Sequence, residues 1–186
     1  PEAEIALREI AQGAGIRTIL YGHQQQISAV AVSHDGRFII SGSCADAEAA
    51  CTTGELILWD VQAQAEIRRM HGHAGWVTSI VFSPDGRRAI SGSSDGTAIL
   101  WSLADGEGLR RFEGHNAGIN SLTVSPDGAT FVSASDDTTL IQWDIETGEI
   151  VHQFRGHTDA VDCVVFSADG QTLLSGSADM IISQWN

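Results

Sequence analysis

The sequence predicts an all-β protein made of four repeated sheets, each formed by four short antiparallel strands. Three markers recur along the chain and predict this organisation. Gly-His pairs occur at 22–23, 72–73, 114–115 and 156–157, separated by steps of 50, 42 and 42 residues. Tryptophans recur every 42 residues, at Trp59, Trp101, Trp143 and Trp185. A four-residue turn ending in Asp-Gly begins at 33, 83, 125 and 167. Because the three markers share one period, we interpret them as one structural repeat.

Each repeat is predicted to contain four strands joined by turns. After the Gly-His pair, apolar residues are spaced three and then two apart, as in Val77, Ile80 and Phe82. This spacing is strand alternation interrupted by a β-bulge. The Asp-Gly turn then predicts a hairpin, and a second turn leads to the tryptophan strand. A fourth segment, such as 148–154, leads to the next Gly-His pair. No connection is long enough for a crossover helix, so the strands are antiparallel.

The composition excludes several classes of function. The 186 residues carry 24 acidic groups against 10 basic ones, all of them arginine, for a net charge of −14. Binding to nucleic acid or to an anionic membrane needs cations that displace counterions, so we expect neither as a partner. No segment approaches the roughly 18 consecutive apolar residues of a membrane-spanning helix. Three cysteines form no closed disulfide framework, which favours a reducing, cytoplasmic location.

With this spacing, the sequence resembles the tryptophan-aspartate repeat (WD-repeat) β-propeller family over residues 16–186. The dipeptide that names the family stands as Trp59-Asp60, Trp101-Ser102, Trp143-Asp144 and Trp185-Asn186. The resemblance implies blades of four antiparallel strands and a non-catalytic role in binding other proteins. The chain is also similar to the propeller part of large bacterial WD-repeat signalling proteins, where the propeller is a sensor.

The resemblance divides the chain into a leader and four blades. Residues 1–15 predict a short amphipathic helix with one apolar face. That face is formed by Ala3, Ala6, Leu7 and Ile10. An outer strand is expected at 16–21, followed by blades at 22–71, 72–113, 114–155 and 156–186. The first blade contains an insertion at 44–52, and the last blade lacks its own outer strand.

Four blades are few for a closed propeller, because family members usually have about seven. Two explanations are open. The chain is an excerpt of a larger propeller, joined in a longer chain to further blades and a signalling domain. Alternatively, two chains form a homodimer that closes an eight-bladed ring by exchanging the outer strand.

The resemblance also implies a buried hydrogen-bond network in each blade, running from the loop His to a strand Ser, a turn Asp and the Trp. Its members are His73, Ser91, Asp95 and Trp101; His115, Ser133, Asp137 and Trp143; and His157, Ser175, Asp179 and Trp185. In the first blade His23, Ser41 and Trp59 remain, but the turn Asp is ambiguous between Asp46 and none. A Ser-His-Asp set repeated at one spacing indicates architecture, since a catalyst needs one exposed copy. We therefore expect no enzyme.

Metal and cofactor sites are not predicted. His71 and His73 form an H-x-H pair, but His73 already belongs to a blade network. Cys44 and Cys51 lie seven residues apart without flanking histidines, which is not a zinc pattern. For these two cysteines we expect free thiols in a loop, and a local disulfide is the alternative.

The resemblance places a partner on the face built from the Gly-His loops and the second turns. The candidate residues are Gln26, Ser28, Trp76, Thr78, Ser94, Asn120, Asp136 and Asp162. Trp76 is the tryptophan outside the blade series and a candidate hot spot, unless it packs against the neighbouring loop. No arginine is expected on this face, while several acidic residues are: Asp46, Glu48, Asp136, Asp159 and Asp162.

These features predict a non-catalytic scaffold or sensor module that binds a protein or peptide, with a basic residue, on an electronegative face. One alternative is a self-assembling structural ring without a specific peptide ligand. A second alternative is an enzyme that uses the propeller as a scaffold, with the 44–54 insertion as its unique polar cluster.

Overall fold

The computed structural model describes residues 18–46 and 51–185, and within them all regular secondary structure is β-strand. The first sheet contains β1 (Ala29–Val32), β2 (Phe38–Cys44), β3 (Gly54–Asp60) and β4 (Ala65–His71). The second contains β5 (Val77–Phe82), β6 (Arg88–Ser93), β7 (Thr97–Ser102) and β8 (Gly108–Glu113). The third contains β9 (Ile119–Val124), β10 (Thr130–Ser135), β11 (Thr139–Asp144) and β12 (Ile150–Arg155). The fourth contains β13 (Val161–Phe166), β14 (Leu173–Ser177) and β15 (Ile182–Trp185).

Each sheet is an antiparallel meander in chain order, which confirms the predicted fold class. The expected bulge is present in the second sheet, where the register between β5 and β6 shifts between Val77 and Ser79. The Asp-Gly turns join the first two strands of every sheet. In the second sheet Gly86 has a φ of 67° and its amide donates to Ser83 O at 2.9 Å. Glycine is suited to this left-handed position because it has no Cβ.

The apolar core lies between consecutive sheets rather than within one sheet. The first strands of neighbouring sheets, β1, β5, β9 and β13, pack side by side. Each later tryptophan packs against the preceding sheet: Trp101 joins the core between the first two sheets, and Trp143 joins the next core. Phe112 and Phe131 meet edge to face in that second core, with ring centroids 4.8 Å apart. A blade is therefore stabilised mainly by its neighbours.

Arginines in the outer strands connect each blade to the next. Arg68 in β4 donates from Nη2 to Ala104 O at 3.0 Å, in the turn between β7 and β8. Arg110 in β8 makes the equivalent bond to Glu146 O, also at 3.0 Å. The two contacts repeat at the 42-residue period, so the arginine-rich outer strands hold the blades in register.

The four sheets do not close into a ring, since no packing joins β13 to β1 in the described structure. The two end faces of the array carry exposed apolar side chains. These are Val30 and Val32 on the first sheet, and Val165, Leu174 and Ile182 on the fourth.

Two expectations from the sequence change. Residues 18–21 of the expected outer strand at 16–21 are not in a strand, because no neighbouring strand pairs with them; residues 16–17 and the leader helix lie outside the described residues. Cys44 and Cys51 form a disulfide, so the expectation of free thiols is wrong and the local disulfide is present. Disulfides persist in oxidising surroundings, so the cysteines no longer favour a reducing compartment.

Candidate functional site

The loop face, which is formed by the Gly-His loops and the turns between the second and third strands, is a bonded layer in the second, third and fourth blades. The Ser94 amide donates to Trp76 O at 2.9 Å, and the Trp76 amide donates to Ser94 Oγ at the same distance. Asp136 N bonds to Gly118 O at 3.0 Å in the next blade. Because each loop is tied to its own turn, the loops and turns of this face are held in fixed positions.

A buried network beneath the loop face holds each loop in place. In the third blade His115 Nδ1 lies 2.8 Å from Asp137 Oδ2, and Nε2 lies 2.7 Å from Ser133 Oγ. Trp143 Nε1 donates to the same Ser133 Oγ at 2.9 Å. The second and fourth blades repeat this arrangement around His73 and His157.

The glycine before each histidine is required by the tryptophan. A Cβ added to Gly72 would lie 2.9 Å from the Trp101 ring, and one added to Gly114 would lie 2.8 Å from the Trp143 ring. Such an approach is closer than packed atoms tolerate. In the Gly-His pair, the glycine leaves room for the tryptophan ring because it has no side chain. The histidine supplies the imidazole of the buried network.

The network aspartates are held as carboxylates. Burial by itself would raise the pKa of Asp137, but donors from Thr139, the Asn116 amide and His115 outweigh it and lower that pKa. For Asp179, burial is likewise outweighed by the Thr158 amide and His157, which lower its pKa to about 2. Hydrogen bonds to the charged form have this effect.

The protonation of the histidines follows from these partners. A carboxylate only accepts hydrogen bonds, so Nδ1 carries the proton and Nε2 accepts from the serine hydroxyl. The serine oxygen in turn accepts the indole N–H. All four network serines, Ser41, Ser91, Ser133 and Ser175, are at most 4% exposed. Hydroxyls that are buried and fully bonded lack the access that an acyl-transfer nucleophile needs.

The first blade completes its network with a residue that the sequence reasoning missed. His23 Nε2 lies 2.6 Å from Ser41 Oγ, and Trp59 Nε1 donates to that oxygen at 2.8 Å. The carboxylate partner of His23 Nδ1 is Glu55 Oε1, at 2.7 Å. Arg69 Nη1 lies 2.5 Å from the second oxygen, Glu55 Oε2. Glu55 therefore takes the place of the turn Asp in the first blade. Both alternatives predicted for that position, Asp46 and no acidic residue, are wrong.

A sequence signal for Glu55 exists. It lies four residues before Trp59, where the second and third blades have Thr97 and Thr139. Those threonines support the turn Asp, as Thr139 Oγ1 does for Asp137 Oδ1 at 2.7 Å. In the first blade the insertion replaces the tight turn, and the longer acidic side chain of Glu55, from the tryptophan strand, reaches the histidine.

Three of the predicted partner residues form bonds within the array. Ser28 Oγ donates to Val77 O of the second blade at 2.6 Å. Thr78 Oγ1 donates to Ile119 O, and Asn120 Nδ2 donates to Val161 O at 3.2 Å. These side chains lie five residues after their histidines and connect each first strand to the next one.

Other members of the predicted set are available to a partner. Gln26, Ser94, Asp136 and Asp162 are exposed, and Trp76 is half-buried. Asp136 is bonded to Asn120 Nδ2 at 2.7 Å. Within the described residues, neither the Trp76 indole N–H nor the Asp162 carboxylate has a hydrogen-bond partner.

Exposed acidic residues and bonded arginines both lie near the loop face. Asp159 is exposed there with Asp136 and Asp162, while Glu48 lies outside the described residues. Arg69 and Arg111 approach from the outer strands and donate to Gly22 O and Gly72 O, which are carbonyls of the Gly-His loops themselves. Their charges also face network carboxylates, which for Arg69 is Glu55.

The insertion holds a compact acidic and sulfur cluster. Ligand atoms of Cys44, Asp46 and Cys51 lie within 4.8 Å of one another. Both sulfurs are joined in the disulfide, whereas metals bind the thiolate form. Asp46 Oδ2 instead accepts from the amide and hydroxyl of Thr52, at 2.9 and 2.7 Å.

The meander sheets, the stacked first strands and the repeated His-Ser-Trp network define an open array of β-propeller blades. The repeat family described as WD domain, G-beta repeat matches residues 15–60, 64–102, 106–144 and 148–186. The chain belongs to this family. Within the described residues, no helix is long and apolar enough to cross a membrane.

Several relatives share part of this chain. A guanine nucleotide-binding protein subunit beta of Arabidopsis thaliana is 36% identical over 91 residues, covering 45% of this chain and 22% of the relative. The corresponding subunit of Oryza sativa subsp. japonica is 35% identical over 78 residues, covering 41% and 18%. Nuclear distribution protein PAC1 of Arthroderma otae is 37% identical over 93 residues, covering 45% and 18%. The chain therefore spans about a fifth of the length of these relatives, and its similarity to bacterial signalling proteins stays a prediction.

Proposed function

We propose that this chain is a non-catalytic interaction module that binds a protein or peptide partner through the loop face. The observation that carries the proposal is Trp76, a half-buried aromatic on a face where the loops are tied to their turns, whose indole N–H has no partner among the described residues. Tryptophan is enriched among the residues that dominate interface energy. The family and the guanine nucleotide-binding relatives support an interaction role.

The chemistry of the partner follows from the charge of the face. Asp136, Asp159 and Asp162 are exposed there, while the guanidiniums of Arg69 and Arg111 are bonded to loop carbonyls. A partner with a lysine or arginine beside an apolar group would satisfy both the carboxylates and Trp76. Charge complementarity of this kind favours association rate and specificity.

The test uses peptides selected for binding to the wild-type chain from a random library displayed on phage. Trp76→Ala and Asp162→Asn should each weaken the selected peptides by about tenfold or more, and the selected sequences should be enriched in lysine and arginine. Glu149→Gln removes an exposed charge outside the loop face and is the matched control. Equal affinity for wild type and for the Trp76→Ala, Asp162→Asn double variant would show that the site is elsewhere.

A self-assembled ring is the second candidate, because the apolar end faces of the first and fourth sheets are exposed. Blades from a second copy or from a longer chain would cover them. One contact opposes closure by a second copy. The position that donates to the next blade in Ser28, Thr78 and Asn120 is occupied by Asp162, and a carboxylate cannot donate. Sedimentation velocity decides between a dimer, which favours the ring, and a monomer, which favours the interaction module.

A further inference from the structure

A second surface lies on the outer flank of the array, between the first and second sheets. It is a groove of about 600 Å³, which we name the side groove. Its apolar walls are formed by Phe38, Leu58, Ile67, Leu103 and Leu109. Ile67 and Leu109 belong to the outer strands β4 and β8 and are exposed. The groove also reaches the Asp-Gly turn at Gly86, at the opposite end of the sheets from the loop face.

The neighbouring interface shows why this groove is open. Between the second and third sheets, Arg88 Nη1 lies 2.6 Å from Glu146 Oε1 and the pair crosses the gap. One repeat earlier, the corresponding positions are Phe38 and Ala104. A phenyl ring and a methyl group cannot form that bridge, so the apolar walls between the first two sheets stay uncovered.

The rim of the side groove is basic in an acidic chain. Arg87, which is exposed, and Arg88 both line it, and the Arg37 guanidinium lies 4.8 Å from the centre of the Phe38 ring. The facing carboxylates already have partners. Asp60 pairs with Arg37 at 3.7 Å and Glu146 with Arg88, while Asp85 accepts from the Ser83 hydroxyl and the Arg87 amide.

A further arginine ends on the turn beside the groove. Arg68 donates to Ala104 O and Asp105 O, and its buried Nε has no hydrogen-bond partner among the described residues. Of the two arginines that line the groove, Arg88 is paired with Glu146, whereas the exposed Arg87 has no side-chain partner among the described residues. Arg87 is therefore the guanidinium at this groove that is open to a ligand carboxylate.

We propose that the side groove binds an acidic peptide segment of a partner protein. A bulky aliphatic or aromatic side chain of the segment fills the apolar slot, and an adjacent carboxylate pairs with Arg87. Pockets of a few hundred cubic ångströms with few polar groups suit such anchors, and guanidiniums bind carboxylates through two parallel hydrogen bonds. This surface is separate from the loop face and takes a ligand of opposite charge.

The test uses the fluorescein-labelled peptide EDLFEE, with QNLFQQ and EDAAEE as peptides that lack the charge or the anchor. Wild type should bind EDLFEE saturably, and it should bind each of the other two peptides at least about tenfold more weakly. Leu109→Glu and Arg87→Glu should each weaken EDLFEE by about tenfold or more. Val151→Glu, at the same position one outer strand further on, and Arg155→Glu should leave binding unchanged. Both control sites are exposed.

Folding and assembly are measured on the same samples. Leu109 is about half exposed, so the urea midpoint of Leu109→Glu should match that of Val151→Glu, and Trp76→Ala should keep full binding of EDLFEE. The proposal fails if wild type does not bind the peptide saturably, or if Leu109→Glu and Val151→Glu weaken it equally. It also fails if the wild-type chain forms dimers that Leu109→Glu dissociates, because the occupant would then be a second copy.

Discussion

In the first and third blades a carboxylate accepts from the equivalent histidine ring, but it comes from a different position of the repeat in each blade. In the third blade the carboxylate is Asp137, in a tight turn, supported by Thr139. In the first blade it is Glu55, in the tryptophan strand, paired with Arg69. The distances to Nδ1 are nearly the same, 2.8 and 2.7 Å. What the fold requires is an acceptor at Nδ1, and a longer side chain lets the turn be replaced by an insertion.

The largest effect is expected from Glu55→Ala. The Glu55 side chain is 5% exposed and serves both His23 and Arg69. A hydrogen bond to a charged group contributes about 1.5–3 kcal/mol, and Glu55→Ala removes two of them. Urea unfolding should show this loss, with Glu149→Ala close to wild type. A loss below about 1 kcal/mol would mean that Glu55 is not the equivalent of the turn Asp.

Asp137→Asn should have a smaller effect, because no arginine depends on that carboxylate. The loss of charge-assisted hydrogen bonds costs about 1.5–3 kcal/mol at neutral pH. The folded pKa of Asp137 lies below its unfolded value of about 3.9. Its contribution is therefore present above that pH and is lost as the pH falls through the lower, folded pKa.

The variant should accordingly lose less stability than wild type when the pH falls from neutral to about 2. Urea titrations at several pH values measure this difference. Asp136→Asn, an exposed neighbour in the same turn, should follow the wild-type profile. Parallel profiles for Asp137→Asn and wild type would contradict the assignment.

The regular blades could be predicted from the sequence because their period repeats the same local chemistry. The strands, the Asp-Gly turns and the bulge beside Val77 all follow from spacing. Glu55 could not be placed, because the insertion breaks the register that located the other carboxylates. Its sequence signal is its position four residues before Trp59, where the second and third blades have threonines, but that position does not report the contact with His23 across 32 residues.

The contacts at the two candidate surfaces could be predicted even less well from the sequence. The loop-face positions followed from the repeat, but the bonds that engage Ser28 and Thr78 between blades did not. The side groove depends on two differences between neighbouring interfaces, Phe38 in place of Arg88 and Ala104 in place of Glu146. Such differences are visible in the sequence, but their consequence appears only once the facing residue, Ala104 or Glu146, is known.

The most direct test of the shared network is the protonation of the histidine rings, read from nitrogen–proton correlation spectra of the 15N-labelled chain. His23 and His115 should both carry the proton on Nδ1 and leave Nε2 as the acceptor, because Glu55 and Asp137 accept from Nδ1 and a serine donates to Nε2. The Glu55→Ala variant should lose this pattern at His23 alone. A proton on Nε2 of His23 in the wild-type chain, or rapid exchange between the two nitrogens there, would contradict the claim that Glu55 replaces the turn aspartate.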